Sequence, residues 1–463
     1  MRQAIKKLWT PLLVAGLCLP LARAQQQAPP TPPASSGAPA SAPGNQEPAS
    51  PVAGALPVVT GSIAPSVGEL GDIRNQFTGG LVFSELFDSN FQNLSSSTGW
   101  DALTTVGGHL ELHRVGSNTD LMVRYVGGGY IDAEDSSFDT SYHQVEAGET
   151  LNFRRWSLKL DDVFSYLPES AFGFSGAGLS GGGGFGITLV NPFAVPNQSI
   201  LTNQGKRVSN TALAQAQVNT SPRSSWTFTG SYSLLHFTDT ADLDPTTASF
   251  SAGYNYQLSA RDTLGVSYTF SAIRFNPAIE SINDNSVQII FGHHISNRLT
   301  VQAGVGPDVY NVTPLFGPAL GVQVSWGANA GLLYQVGNTA LSTSFSRGVS
   351  GGAGVVAGTT STGVRFSATQ KVGQRTTFTG AVGYNLNQSL PGVLETSTSY
   401  NTVNASVGFN RQLSRSFGVN ASYNLLNQST NALACIGIGC AGPVLRHQIW
   451  VGFTWDIQPI PLR

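Results

Sequence analysis

Between Gln76 and Asp456 the chain repeatedly alternates apolar and small polar residues, one by one, over runs of about ten residues or more. In 417–425, Phe417, Val419, Ala421, Tyr423 and Leu425 take the odd positions, and Gly418, Asn420, Ser422 and Asn424 the even ones. A strand points successive side chains to opposite faces, so period two gives one apolar and one polar face. In a soluble sandwich the polar face would carry Lys, Glu and Arg. Here it carries Asn, Ser, Thr, Gln and Gly, and charged residues are 11% of the chain against the usual quarter or so. No stretch approaches the roughly 20 consecutive apolar residues of a membrane helix.

Eighteen such segments can be laid out, near 76–87, 102–113, 119–132, 142–153, 156–167, 208–220, 225–237, 247–258, 262–274, 285–295, 298–308, 320–334, 338–347, 361–371, 375–387, 400–411, 415–427 and 446–458. Short turns such as "SPRS" (221–224), "SARD" (259–262) and "LSRS" (413–416) alternate with longer loops, from 88–101 to 428–445. Segments of this length suit a tilted bilayer crossing, and short turns opposite long loops fit a membrane barrel. A closed barrel is also the one strand architecture that pairs every backbone group in lipid. The expected fold is all-β: a closed antiparallel transmembrane β-barrel of about 18 strands over 76–463.

The N-terminus predicts export. Arg2, Lys6 and Lys7 precede the apolar run Leu8–Leu21, and Ala22-Arg23-Ala24 forms a cleavage site, so 1–24 reads as a signal peptide. Leu17 occupies the place before Cys18 where a lipoprotein signal has a small residue. Removing this segment removes four basic residues and no acidic one, leaving 20 basic against 26 acidic. That balance argues against a nucleic-acid partner. Residues 25–75 are rich in Pro, Ala and Ser and read as a disordered periplasmic tether. "PVVTG" (57–61) is too close to the first strand for the plug of an energy-coupled receptor. Cys435 and Cys440 in "CIGIGC" predict a local disulfide, with no His in the segment to complete a metal site.

Trp156, Trp226, Tyr256, Phe378 and Phe417 sit at the turn-proximal strand ends, like an aromatic girdle. The last strand carries Ile449, Val451, Phe453 and Trp455, similar to the alternating C-terminal signal read by barrel-assembly machinery, although "QPIPLR" trails beyond it. Taken with the strand pattern, 76–458 resembles the bacterial outer-membrane β-barrels of the porin-like superfamily, with no motif of one family. The resemblance implies an outer-membrane location, lipid and assembly machinery as partners, and room for a homo-oligomer.

No G-x-S-x-G or H-E-x-x-H motif is present. His109 and His113 share a face with Glu111, but alternate strand residues lie about 7 Å apart, too far for one metal ion. Neither enzymatic activity nor a cofactor is expected. The polar faces, such as Thr402, Asn404, Ser406 and Thr300, Gln302, suit a water-filled lumen. Glu111, Arg124, Glu146, Lys159 and Asp161 form a charged wall patch, which either orients solutes or neutralises itself. Loop 168–204 is the longest and has no charge after Glu169. In general porins the third outer loop narrows the channel, so Phe172, Phe174, Gly181, Gly182, Gly183, Gly184 and Phe185 are the candidate constriction; a flexible surface loop or a partner-binding patch is the alternative. Glu149 and Asp162 fall on the lipid face, which calls for either a β-bulge or a neighbouring subunit. The expected function is passive diffusion of small hydrophilic solutes. The alternatives are a polymer exporter and a non-conducting structural or adhesion barrel.

Overall fold

A computed structural model of the chain describes residues 75–93, 99–132, 139–168, 200–202, 205–238, 243–277, 280–314, 321–352, 355–390, 398–431 and 442–462. Its strands are β1 Gln76–Asp88, β2 Asp101–Val115, β3 Thr119–Asp132, β4 Thr140–Asn152, β5 Trp156–Leu167 and β6 Arg207–Ser221. They continue with β7 Ser224–Phe237, β8 Asp244–Gln257, β9 Asp262–Asn276, β10 Glu280–Ser296, β11 Leu299–Pro314 and β12 Gln323–Val336. The last are β13 Thr339–Ser350, β14 Thr359–Val372, β15 Thr376–Ser389, β16 Ser399–Gln412, β17 Phe417–Thr430, β18 Val444–Asp456 and the short β19 Ile460–Pro461.

Each strand from β1 to β18 pairs antiparallel with its sequence neighbour, and β1 also pairs with β18 from Gly80↔Asp456 to Asp88↔Gln448. The sheet is therefore a closed barrel of 18 full-length strands. The predicted segments recur as these strands, most of them extended by one to several residues. The trailing "QPIPLR" has a structural role: β19 pairs with Gln76 and Phe77, lengthening the closing seam.

The turns explain the repeated serine. Ser221, Ser259, Ser296 and Ser414 each accept a hydrogen bond at Oγ from the backbone N–H two residues on. Ser259 and Ser414 accept a second from three residues on. A hydroxyl that satisfies turn amides in this way fixes where one strand ends and the next begins.

Alternation appears directly as exposure. Val407 and Phe453 are 62% and 59% exposed on the outside, while Thr402 and Gln448 on the inside are wholly buried. The turn-proximal Trp156, Trp226, Tyr256, Phe378 and Phe417 all face outward and are exposed, and Phe378 packs on Phe409 across the strand pair.

At the loop end of the closing seam, Asp88 of β1 meets Arg446 of β18. Arg446 Nε donates to both carboxylate oxygens at 3.0 and 2.9 Å, and Nη2 donates to Oδ2 at 2.6 Å. Gln448 Nε2 and the Asn90 amide donate to the same carboxylate, and Arg446 Nη1 donates to Asn93. Both charged side chains are completely buried. Arg446→Ala would strand the Asp88 charge and should cost about 3–5 kcal/mol. Denaturant unfolding of the refolded barrel, followed by heat-modifiable gel migration, should show a lowered midpoint; a midpoint like that of the parent would mean the pair does not clamp the seam.

Candidate pore lining and its loop-end closure

The predicted charge patch assembles on the inner wall. Glu111, Arg124 and Glu146 stand directly opposite one another on β2, β3 and β4. Arg124 Nε donates to Glu111 at 3.2 Å and its Nη1 lies 3.7 Å from Glu146. On β5, Lys159 Nζ sits 2.9 Å from Asp161. Cross-strand register thus brings five charges into one partly self-neutralising cluster, although sequence separation hides which carboxylate faces which cation. His113 Nε2 bonds to Asp120 at 2.8 Å, and His109 lies 3.7 Å from Asp456. The two His thus meet different carboxylates.

Elsewhere the wall is small and neutral. Ser342 and Ser344 of β13 face inward, with Thr300, Gln302 and Asn329 nearby on β11 and β12. At the inward-facing Gly292, Gly331 and Gly348, an added Cβ would meet nothing within 4 Å. The lumen beside β10–β13 is open space.

The loop end differs from the expectation of a water-filled hydrophilic lumen. There the inward positions turn apolar: Leu86, Leu103, Tyr130, Tyr142 and Trp450 cluster on one side, and Ile273, Phe275, Ile282, Tyr310 and Val312 on the other. Two loop segments fold in to meet them. Ile200, Leu201 and Thr202, the described end of loop 168–204, are fully buried. Leu201 packs on Leu426 and Val444, and its amide donates to Gln428. Ile200 joins Tyr400 and Val356, so the loop after β5 reaches the wall of β16–β18. Val356 and Ala357, between β13 and β14, complete the bridge by packing respectively on Ile200 and on the Ile282–Leu390 cluster. Phe172, Phe174, Gly181, Gly182, Gly183, Gly184, Phe185, Cys435 and Cys440 lie outside the described residues.

Glu149 and Asp162 do face outward. Pairing runs without a register shift across β3, β4 and β5, which removes the bulge explanation. Asp162 accepts a hydrogen bond from Asn210 of β6 at 2.6 Å. The same outer face carries Ala147, Ala212, Ala214 and Ala216. Glu85 is a third outward carboxylate, missed in the sequence, and accepts from Thr104.

In architecture the chain is a closed antiparallel barrel of 18 full-length strands with an apolar outer face. No family model matches its sequence, and no curated protein matches it. Among solved structures it is similar to OccK2 (OpdF) of Pseudomonas aeruginosa, with 11% identity, a TM-score of 0.42, and 82% of this chain and 98% of that one covered. It is similar to OccAB3 of Acinetobacter baumannii at 10% identity and a TM-score of 0.42, covering 82% of this chain and 99% of that one. The FrpB iron transporter of Neisseria meningitidis is 9% identical with a TM-score of 0.39, covering 82% and 81% of the two chains.

Gly358 holds the second inward segment in place. Its φ is +87°, a region that costs a side chain strain, and an added Cβ would come within 2.4 Å of Ile282 and 3.0 Å of Leu390. Gly358→Val should release residues 355–358 from the interior. Limited proteolysis of the folded barrel should then cut within 351–358 faster than in the parent. An unchanged cleavage pattern would show that the bridge tolerates the change.

Proposed function

We propose that the chain is a channel of the bacterial outer membrane, exported by its signal peptide, through which small hydrophilic solutes diffuse. The turn end faces the periplasm and the loop end the exterior. The observation that carries this reading is a closed barrel with an apolar outside and a hydrophilic inner wall that keeps open space beside β10–β13. A barrel of 16–18 strands is wide enough for an aqueous channel unless something fills it. The inward bridge at Ile200 and Val356 supports a narrow loop-end opening, with loop 168–204 as its main constriction. The charged wall at Glu111, Arg124, Glu146, Lys159 and Asp161 orients solutes as they pass. The protein catalyses no reaction in this reading.

The packed loop end also favours a second reading, a non-conducting barrel that acts through its loops. Planar-bilayer recording separates the two. Purified protein should give discrete conductance steps, and deletion of 173–186 should enlarge them and admit larger sugars. A folded protein without conductance would leave the second reading; equal steps in the deletion variant would place the constriction elsewhere.

The outer face of β3–β6 is the contact between copies of this chain. Glu149 and the Asp162–Asn210 pair are poorly suited to hydrocarbon, and the alanines beside them allow a close approach. A cysteine at Ala214 should crosslink dimers or larger assemblies in membranes, whereas one at Val407 should not. Monomers only, from both positions, would remove this contact.

A further inference from the structure

The short turns carry arginine at one repeated position. Arg155, Arg223, Arg261, Arg298 and Arg375 each stand immediately before the first residue of β5, β7, β9, β11 and β15. The carbonyl of each accepts a hydrogen bond from a backbone N–H near the end of the strand that follows: Asn219, Gln257, His294, Gln335 and Gln412, at 2.7–2.9 Å. Pairing thus runs one residue into each turn. Outward-facing Trp156, Trp226, Leu264, Val305 and Phe378 lie an odd number of residues further along their strands, so the arginines fall on the inward parity. Asn118 and Asn338 take the same position in the β2–β3 and β12–β13 turns, and the inward residue that bonds Asn338 is Lys371. Ser416 takes it before β17, with Arg415 beside it. Arg375 and Arg415 line one recess of about 550 Å³ together with the inward Thr78, His109, Gln412 and Asp456.

The fold does not require arginine there, because the pairing uses only a carbonyl, which any residue supplies. All six arginines are exposed, and among the described residues none forms an ion pair. Arg261 acts on its neighbour Asp262, whose carboxylate is also held by His293 and Ser259. The inward carboxylates near this rim, Asp120 and Asp456, lie beside β1–β3 and meet His113 and His109. Deeper in, Asp161 is met by Lys159. Around the rest of the mouth, from β5 to β17, the rim is basic although the mature chain is net acidic. A guanidinium presents five N–H donors in a planar fork that matches a carboxylate or a phosphate. A rim of one sign raises the local counter-ion concentration by about tenfold or more.

We propose that Arg155, Arg223, Arg261, Arg298, Arg375 and Arg415 form an anion-collecting ring around the turn-end mouth of the lumen, so that small carboxylates and phosphates pass in preference to cations. This rests on the channel reading. Reversal potentials of the full-length protein in a KCl gradient should show Cl− passing several-fold more readily than K+. Arg223→Gln with Arg261→Gln and Arg298→Gln should lower that ratio several-fold. Arg411→Gln, beside the same rim but on the outward parity of β16, should change it less. Conductance with no ion preference, or with K+ preferred, would overturn the ring and leave the channel standing. Equal losses in the two variants, seen only in bilayers containing anionic lipid, would overturn it too and assign the arginines to lipid headgroups. A purified, folded protein without any conductance would instead sink the channel reading. The ring is then decided in detergent with inorganic phosphate as the probe. Broadening of its phosphorus NMR signal by the folded parent, lost in the triple variant, would uphold the ring, and no broadening would overturn it.

Discussion

Everything in this barrel depends on closing its backbone hydrogen bonds. In hydrocarbon an open strand edge leaves amides and carbonyls with no partner, at several kcal/mol for each group. The chain meets this by pairing β1 with β18. Every other junction joins sequence neighbours through a turn or loop, but the seam must bring together segments more than 350 residues apart. It is here that the fully buried ion pair of Asp88 and Arg446 occurs. A buried pair of charges contributes little net stability against an apolar pair of similar size, but it is specific, since a misaligned register would leave two charges unpaired. At the other end of the seam, β19 adds two more residues of pairing. The closing junction is thus reinforced at both ends.

The polarity of the wall reverses along its height. On β9 the outward residues run Leu264, Val266, Tyr268 and Phe270, then Arg274 and Asn276, while inward Ser267 gives way to Ile273 and Phe275. Once a strand rises above hydrocarbon its outer face meets water and needs polar groups. Its inner face is then free to become a core. The two inward loop segments supply what that core packs against, which is why Ile200, Leu201 and Ala357 are buried although they belong to connections. The molecule is a membrane barrel over most of its height and, at the loop end, a packed soluble-type barrel.

Strand number, order and facing were legible in the sequence because period two over about a dozen residues fixes them locally. Val403 and Val407 face out and Thr402 faces in, as parity alone requires. The charge patch was legible as membership, since Glu111, Arg124 and Glu146 share an inner parity. Its pairing was not, because register follows from turn geometry and closure rather than composition. The apolar loop end was missed for a related reason. Leu86, Leu103 and Trp450 sit on the parity of the polar face, and a reading that assigns each strand one polar face treats them as exceptions. The signal was there: outward polar residues begin on β9 and β10 at the same height as the inward apolar ones, at Arg274, Asn276, Asn283 and Asn285. Nothing local announces that Ile200 will meet Tyr400 across the lumen, because that contact exists only after the barrel has closed.

The placement of interior charge follows the same division. In the packed loop end, where water is excluded, Asp88 and Arg446 are matched one to one and surrounded by donors and acceptors. Lower on the wall, Glu111, Arg124 and Glu146 are matched more loosely, with separations of 3.2 and 3.7 Å, and Lys159 is about half exposed. Loose pairing is tolerable only where solvent screens the remainder. The contrast therefore marks how far water reaches into the barrel from its turn end.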